Sequence, residues 1–206
     1  MREFIYYSKS AVTAGNRIKE DLMKAGRLDI ACQIVIHGLF VSRHMRLNVK
    51  LHLVFDGPPD APKHLEIFPG VSGKDNLGDI ENKIDISKKD IAGLIKRMLY
   101  KYRVGEKKEV ANGYWIEKRG FADLVFELHN EGKEIFILDK RGEDIRKVEI
   151  SENAVFIIGD QEGIPKKELK RIKGIPLKRV SVGPQTLFAS QALIVLQNEL
   201  DRRSMN

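Results

Sequence analysis

The chain has 206 residues, 42% of them hydrophobic, and its 36 Lys and Arg outweigh 29 Asp and Glu to give a formal charge of +7. That length suits one domain with a full core, and no apolar run is long enough to span a bilayer. The single cysteine, Cys32, excludes an internal disulfide framework and a cysteine-based zinc cluster, while the cationic excess favours a polyanionic partner.

Residues 4–7 read as a first strand that starts without signal-peptide anatomy, so a cytoplasmic location is expected. Asn16 is placed to cap a helix over residues 16–24, with Ile18, Leu22 and Met23 on one face, closed by Gly26. A second helix from Arg27 follows from Leu28, Ala31, Cys32, Val35, Leu39 and Phe40 at helical spacing, Cys32 being a packing residue on its apolar face. Its end runs into the basic cluster Ser42-Arg43-His44-Met45-Arg46, suited either to the helix dipole or to RNA phosphates.

Residues 49–55 alternate apolar and polar and predict a strand. After the turn Asp56-Gly57-Pro58-Pro59, residues 64–68 are placed to pair back as a hairpin, and residues 69–83 read as a surface loop. A hairpin and loop extension around residues 56–84 is thus expected on an otherwise single domain covering residues 1–206. Ser87 and Asp90 open a helix whose apolar face is Ile91, Leu94, Ile95, Met98, Leu99 and Tyr102. The five histidines, His37, His44, His52, His64 and His129, show neither i, i+4 pairing nor an acidic partner at metal spacing, so no metal is expected.

From residue 121 onward helix, strand, strand, helix, strand and helix follow at 121–130, 135–138, 155–158, 165–172, 177–182 and 186–203, with residues 140–143 as a turn. Nearly continuous apolar strands between amphipathic helices predict an α/β fold, a parallel sheet with helices on both faces. Two glycine loops mark strand-to-helix junctions: Gly159-Asp160-Gln161-Glu162-Gly163-Ile164-Pro165, and Val182-Gly183-Pro184-Gln185 before the last helix. Such junctions offer bare backbone N–H groups and close backbone approach to a ligand. Their spacing matches neither a dinucleotide fingerprint nor a P-loop.

The two loops, in this order, resemble the cofactor loops of the SPOUT methyltransferases. Ala25-Gly26-Arg27-Leu28-Asp29-Ile30, with the basic cluster and strand that follow, resembles the N-terminal signature of archaeal tRNA pseudouridine N1-methyltransferases. The resemblance implies a SPOUT-type α/β knot with a deep C-terminal trefoil and S-adenosylmethionine as cofactor. It also implies a homodimer methylating N1 of the T-loop pseudouridine at position 54 of tRNA. Carried over onto this sequence, the cofactor contacts are Leu138, Gly159, Gly163, Val182, Gly183, Pro184, Gln185 and Leu187. Asp29 and Arg27 are the candidates for substrate positioning or proton handling, and Arg43 and Arg46 for RNA binding. A structural ion pair is the plainer reading of Arg27 and Asp29. Many members carry a cysteine early in the last helix, where this chain has Leu187-Phe188-Ala189-Ser190-Gln191. Methylation of pseudouridine in small-subunit ribosomal RNA, a ribose 2′-O-methyltransferase, and a non-catalytic RNA-binding module of the same fold are the alternatives.

The last helix carries Leu187, Phe188, Ala192, Leu193, Ile194, Val195, Leu196 and Leu200 around too much of its circumference for a helix half in water. It is expected to thread the domain interior or to pack on a second copy.

Overall fold

The computed structural model describes residues 1–42, 44–71 and 86–204. In chain order these form β1 (Arg2–Ser8), α1 (Leu28–Leu39), the short pair β2 (Phe40–Val41) and β3 (His44–Met45), β4 (Val49–Phe55), β5 (Lys63–Ile67) and α2 (Lys88–Lys101). There follow β6 (Lys108–Ala111), β7 (Tyr114–Glu117), α3 (Phe121–Asn130), β8 (Glu134–Asp144), β9 (Ala154–Gly159), α4 (Lys166–Arg171), β10 (Leu177–Ser181) and α5 (Ala189–Ser204). Eight strands make one sheet in the order β10-β8-β9-β1-β4-β5-β7-β6. The first five are parallel neighbours, and β5, β7 and β6 continue the sheet antiparallel. The expected hairpin of β4 with residues 64–68 is therefore the start of that antiparallel half, and residues 72–84 of the expected extension lie outside the described residues.

Alternation along the central strands sends successive side chains into two separate cores. Phe4 and Tyr6 of β1 and Phe156 and Ile158 of β9 face α1, α2 and α5, whereas Ile5, Tyr7, Val155 and Ile157 face α3 and its neighbours. Beyond β1 that second face changes character: β4, β5 and β7 present His52, His64, Glu66 and Glu117, all buried. α2 begins with the capping box that Ser87 and Asp90 foretold. Cys32 is buried on α1, and burial pushes its thiol up to about 12, consistent with a packing role.

Three local expectations fail. Residues 16–24 do not form a helix but a single 3-10 turn, Gly15–Arg17, and then turns. The backbone is committed elsewhere, since Ala25 accepts from the Val12 N–H at 3.3 Å, and Gly15 is pressed so close to α2 that an added Cβ would lie 2.9 Å from the Lys96 carbonyl oxygen. α1 stops at Leu39, and Phe40–Val41 pair antiparallel with His44–Met45, so His44 and Met45 of the basic cluster lie in a strand rather than at a helix end. Residues 140–143 are not a turn, because β8 runs on to Asp144 and re-pairs with β10 after a register break, from Arg179 opposite Ile137 to Val180 opposite Glu143. Residues 138–142 are the excess, a bulge of the kind that re-aims side chains.

Candidate active site

The C-terminal ends of β8, β9 and β10 converge with the N-terminal turn of α1 around a cleft of about 730 Å³, a size suited to a cofactor or nucleoside-sized ligand. Backbone and apolar side chains make its inner walls, and charged and polar side chains line the rest. Leu138 reaches it from the β8 bulge, Gly159 and Gly163 from the loop after β9, and Val182, Gly183, Gln185 and Leu187 from the loop after β10. Pro184 belongs to that last loop but is not among the lining residues. Two glycines leave the room a ligand would need: a Cβ built on Gly163 or Gly183 meets nothing within 4 Å. Gly159 is different, because a Cβ there would fall 2.8 Å from Gly163, so this glycine lets the loop close on itself.

Asp160 locks the first loop to β1. Its carboxylate, 7% exposed, accepts from the Ser8 hydroxyl at 3.1 Å, the Lys9 N–H at 3.0 Å and the Glu162 N–H at 2.9 Å. Its own N–H donates to the Tyr7 carbonyl at 3.0 Å, extending the β1–β9 pairing by one bond. The Lys9–Glu162 ion pair above it is more than half exposed at both ends and adds little.

Arg27 and Asp29 line the same cleft, from the start of α1 in the same chain. Gly26 and Arg27 both have positive φ, 69° and 60°, and Arg27 is the single non-glycine residue of this kind among the described residues. Gly26 is obligatory here: a Cβ would sit 1.7 Å from the Ser10 carbonyl oxygen. The left-handed Arg27 costs about 1–2 kcal/mol and turns its guanidinium back onto Asp29, with Nε donating to Oδ1 at 3.0 Å and Nη2 to Oδ2 at 3.1 Å. That bidentate contact, more than any other, raises the Arg27 pKa above its ordinary value. Strain held at a cleft is a reason to look for function there.

The RNA-binding expectation divides. Arg43 lies outside the described residues. Arg46 is largely covered and makes a bidentate pair with Asp201 of α5, at 2.8 and 2.6 Å, so the structure ties this cation to the C-terminal helix. Sequence reading did not single out Gln33, one helical turn after Asp29 and on the same cleft-facing stripe of α1. The i, i+4, i+8 spacing of Asp29, Gln33 and His37 on an otherwise apolar helix was the available signal. Lys140 and Arg179 also line the cleft, and Arg179 pairs with Asp139 across the bulge.

A family model described as "Putative SAM-dependent RNA methyltransferase" matches residues 1–205. A protein of Methanocaldococcus jannaschii named tRNA (pseudouridine(54)-N(1))-methyltransferase is 31% identical over 98% of both chains. A Methanococcus maripaludis protein of the same name is 32% identical over 98% of this chain and 99% of its own. Among solved structures, Archaeoglobus fulgidus Nep1 bound to S-adenosylhomocysteine superposes with a TM-score of 0.61 at 10% identity, covering 100% of this chain and 99% of that one. At that identity the likeness is one of fold, a mixed α/β architecture with a mostly parallel central sheet.

Proposed function

The chain belongs to the family of SAM-dependent RNA methyltransferases, and from that premise we propose that it methylates N1 of pseudouridine 54 in the T loop of tRNA. The observation that carries this reading is the meeting of two features in one cleft: the glycine loops after β9 and β10, and the strained Arg27–Asp29 pair. The full-length relatives carrying that activity in their names support the choice of substrate.

The cleft suits S-adenosylmethionine. Gly163 and Gly183 leave open space where side chains would intrude, backbone groups of both loops are at hand for the adenine and methionine moieties, and Leu138, Val182 and Leu187 supply apolar walls. When bound, the cofactor supplies an electrophilic methyl group on a sulfonium. Holding the acceptor nitrogen in line with that methyl can supply about 7–11 kcal/mol of the barrier in favourable systems, and Gln33 with the two loops forms the frame for it.

The acceptor N1 must also shed its proton. If its pKa lies about two units above the working pH, ionisation costs roughly 2.7 kcal/mol, which a fixed cation beside the base offsets. Arg27 is that cation. Both Asp29 oxygens are taken by the guanidinium, so Asp29 serves to orient Arg27, and the N1 proton leaves to solvent. The Arg27 side chain is 37% exposed, and its guanidinium keeps its remaining N–H donors for the nucleobase.

We further propose the SPOUT-type trefoil knot and a homodimer. α5 leaves the β10 edge, crosses back over the first core and packs on α1, where the Gln197 amide donates to the Gly38 carbonyl at 2.7 Å. Leu193, Leu196 and Leu200 face inward, while Ile194 and Val195 remain 45% and 38% exposed, an apolar strip for a second copy. No helix among the described residues is long and apolar enough to cross a membrane, in keeping with a cytoplasmic site of action. Arg43 is proposed to contact the RNA backbone. The test is mass spectrometry of transfer RNA and ribosomal RNA incubated with the protein and isotopically labelled S-adenosylmethionine. Label on N1 of pseudouridine 54 is expected; label on ribose, or only in ribosomal RNA, would overturn the proposal.

A further inference from the structure

Far along the sheet from the cleft, the second face of β4, β5 and β7 carries a buried polar row in place of an apolar core. His52 and His64 lie diagonally across the β4–β5 pair, and Glu66 stands directly opposite His52. His52 Nε2 is 2.9 Å from Glu3 Oε1, and His64 Nδ1 is 3.0 Å from Glu117 Oε1. The remaining ring nitrogens, His52 Nδ1 and His64 Nε2, face each other at 2.8 Å. The histidines are 2% and 1% exposed and Glu66 is 8% exposed.

The outer contacts decide the tautomers. A carboxylate can only accept, so His52 carries its hydrogen on Nε2 and His64 on Nδ1. Two lone pairs are then left pointing at one another in a buried space, an arrangement that repels unless a proton or a metal ion is held between them. The surroundings are those of a metal site. Each histidine has its far nitrogen on a buried carboxylate, the arrangement that orients metal-bound imidazoles, and ligand atoms of His52, His64 and Glu66 all lie within 4.8 Å of one another.

We propose that His52, His64 and Glu66 bind a divalent transition-metal ion, with zinc, which takes a two-imidazole, one-carboxylate donor set, as the ion to test. Tetrahedral coordination with metal–nitrogen distances of about 2.0–2.1 Å requires the two nitrogens to stand about 3.3 Å apart, half an ångström more than the present 2.8 Å; Glu66 closes in from within 4.8 Å, and a water or its second oxygen completes the four ligands. Lys107 and Lys50 reach Glu66 at 2.7 and 3.6 Å from the rim, with side chains 40% and 21% exposed, so they can turn to solvent as the carboxylate takes the ion. None of the three ligands lines the cleft. The role is therefore structural: the ion would tie β4 at the end of the parallel half to β5 at the start of the antiparallel half.

The sequence hid this site because its ligands are spread over adjacent strands and meet only through antiparallel pairing. The test uses tag-free full-length protein. Metal analysis after expression in zinc-supplemented medium is expected to give about one zinc per chain. After stripping with a chelator, added zinc chloride is expected to raise the melting temperature by about 5–10 °C at a hundredfold excess over its dissociation constant. Cobalt(II) should give the visible absorption of a tetrahedral site in the wild-type chain, and His64→Asn and Glu66→Gln should lose or weaken it. Because His64→Asn can unfold a chain for other reasons, the wild-type measurements decide. Sub-stoichiometric zinc, no thermal shift and no cobalt spectrum would overturn the proposal, as would a hydrogen shared between the two imidazoles in nitrogen-15 NMR of zinc-saturated protein.

Discussion

Replacing Asp160 is expected to damage cofactor binding more than it damages the fold. In Asp160→Asn one acceptor oxygen becomes an NH2 group, which must face either the Glu162 N–H or the pair formed by the Ser8 hydroxyl and Lys9 N–H. At least one contact is lost in either orientation, and the survivors are no longer charge-assisted. Hydrogen bonds to charged groups are worth about 1.5–3 kcal/mol each. Lys9 and Glu162 are exposed, so water replaces part of their loss, whereas Ser8 is fully buried and regains nothing. The net cost is about 2 kcal/mol for Asn and about 3 kcal/mol for Ala. Because the bonds lost hold the Gly159 to Gly163 turn against β1, much of that cost reappears as ordering the ligand must supply, tenfold in Kd per 1.4 kcal/mol. Urea unfolding and titration calorimetry with S-adenosylmethionine separate the two effects. Lys9→Ala is the control, since its exposed ion pair is worth under about 1 kcal/mol. The reasoning is refuted if Asp160→Asn binds the cofactor within twofold of wild type, or if Lys9→Ala is as damaging.

Arg27→Gly removes a left-handed non-glycine residue together with its guanidinium, so stability should stay level or rise by up to about 1 kcal/mol while turnover falls about 10²-fold or more; denaturation midpoints and single-turnover rates read the two. Asp201 is held down at about 2, chiefly by its hydrogen bonds to Arg46 and then by Arg2. A depressed carboxylate contributes stability above its unfolded pKa and loses it as pH falls through the folded value, so Asp201→Asn should cost about 1 kcal/mol at pH 7 after solvent screening. That difference should shrink steadily below about pH 4, and a constant gap in denaturant midpoint from pH 7 to pH 2.5 would disprove it. Ile194→Asp places a charge on the exposed strip of α5 and should shift the light-scattering mass from dimer to monomer; an unchanged mass would remove α5 from the interface.

The parts of the fold that followed a period were legible. β1, β4, β9, α1, α2 and α3 follow directly from alternation or helical spacing, and both glycine loops fall where strands give way to helices. The losses came where a local pattern met a non-local commitment. Residues 16–24 have a helical face, but Gly15 lies under α2 and Ala25 is bonded to Val12, so the backbone bonds a helix needs are spent elsewhere. Lys140-Arg141-Gly142-Glu143 has the composition of a turn, yet Gly142 is where β8 presses on β10: an added Cβ would lie 2.5 Å from the Val180 nitrogen. Arg46 looked free for RNA because its partner, Asp201, lies 155 residues away. The left-handed Arg27 could not be anticipated either, since no residue type announces it.

The bulge in β8 shows why the cleft lies where it does. A regular β8 would pair with β10 along its whole length and close the sheet edge. The excess over residues 138–142 instead swings Leu138, Asp139 and Lys140 outward beside the loop after β9. Gly142 lets the strand return beneath Val180, and Arg179 bridges to Asp139 across the gap. One wall of the cleft is therefore made by a misfit in register, and a change that regularises it should close the site from within. Deleting four residues from 138–142 would cut the excess from five to one while preserving the alternation of the strand. A sheet that remains folded by circular dichroism but no longer gains thermal stability from S-adenosylmethionine is the expected result, whereas an undiminished thermal shift would show that the bulge is incidental.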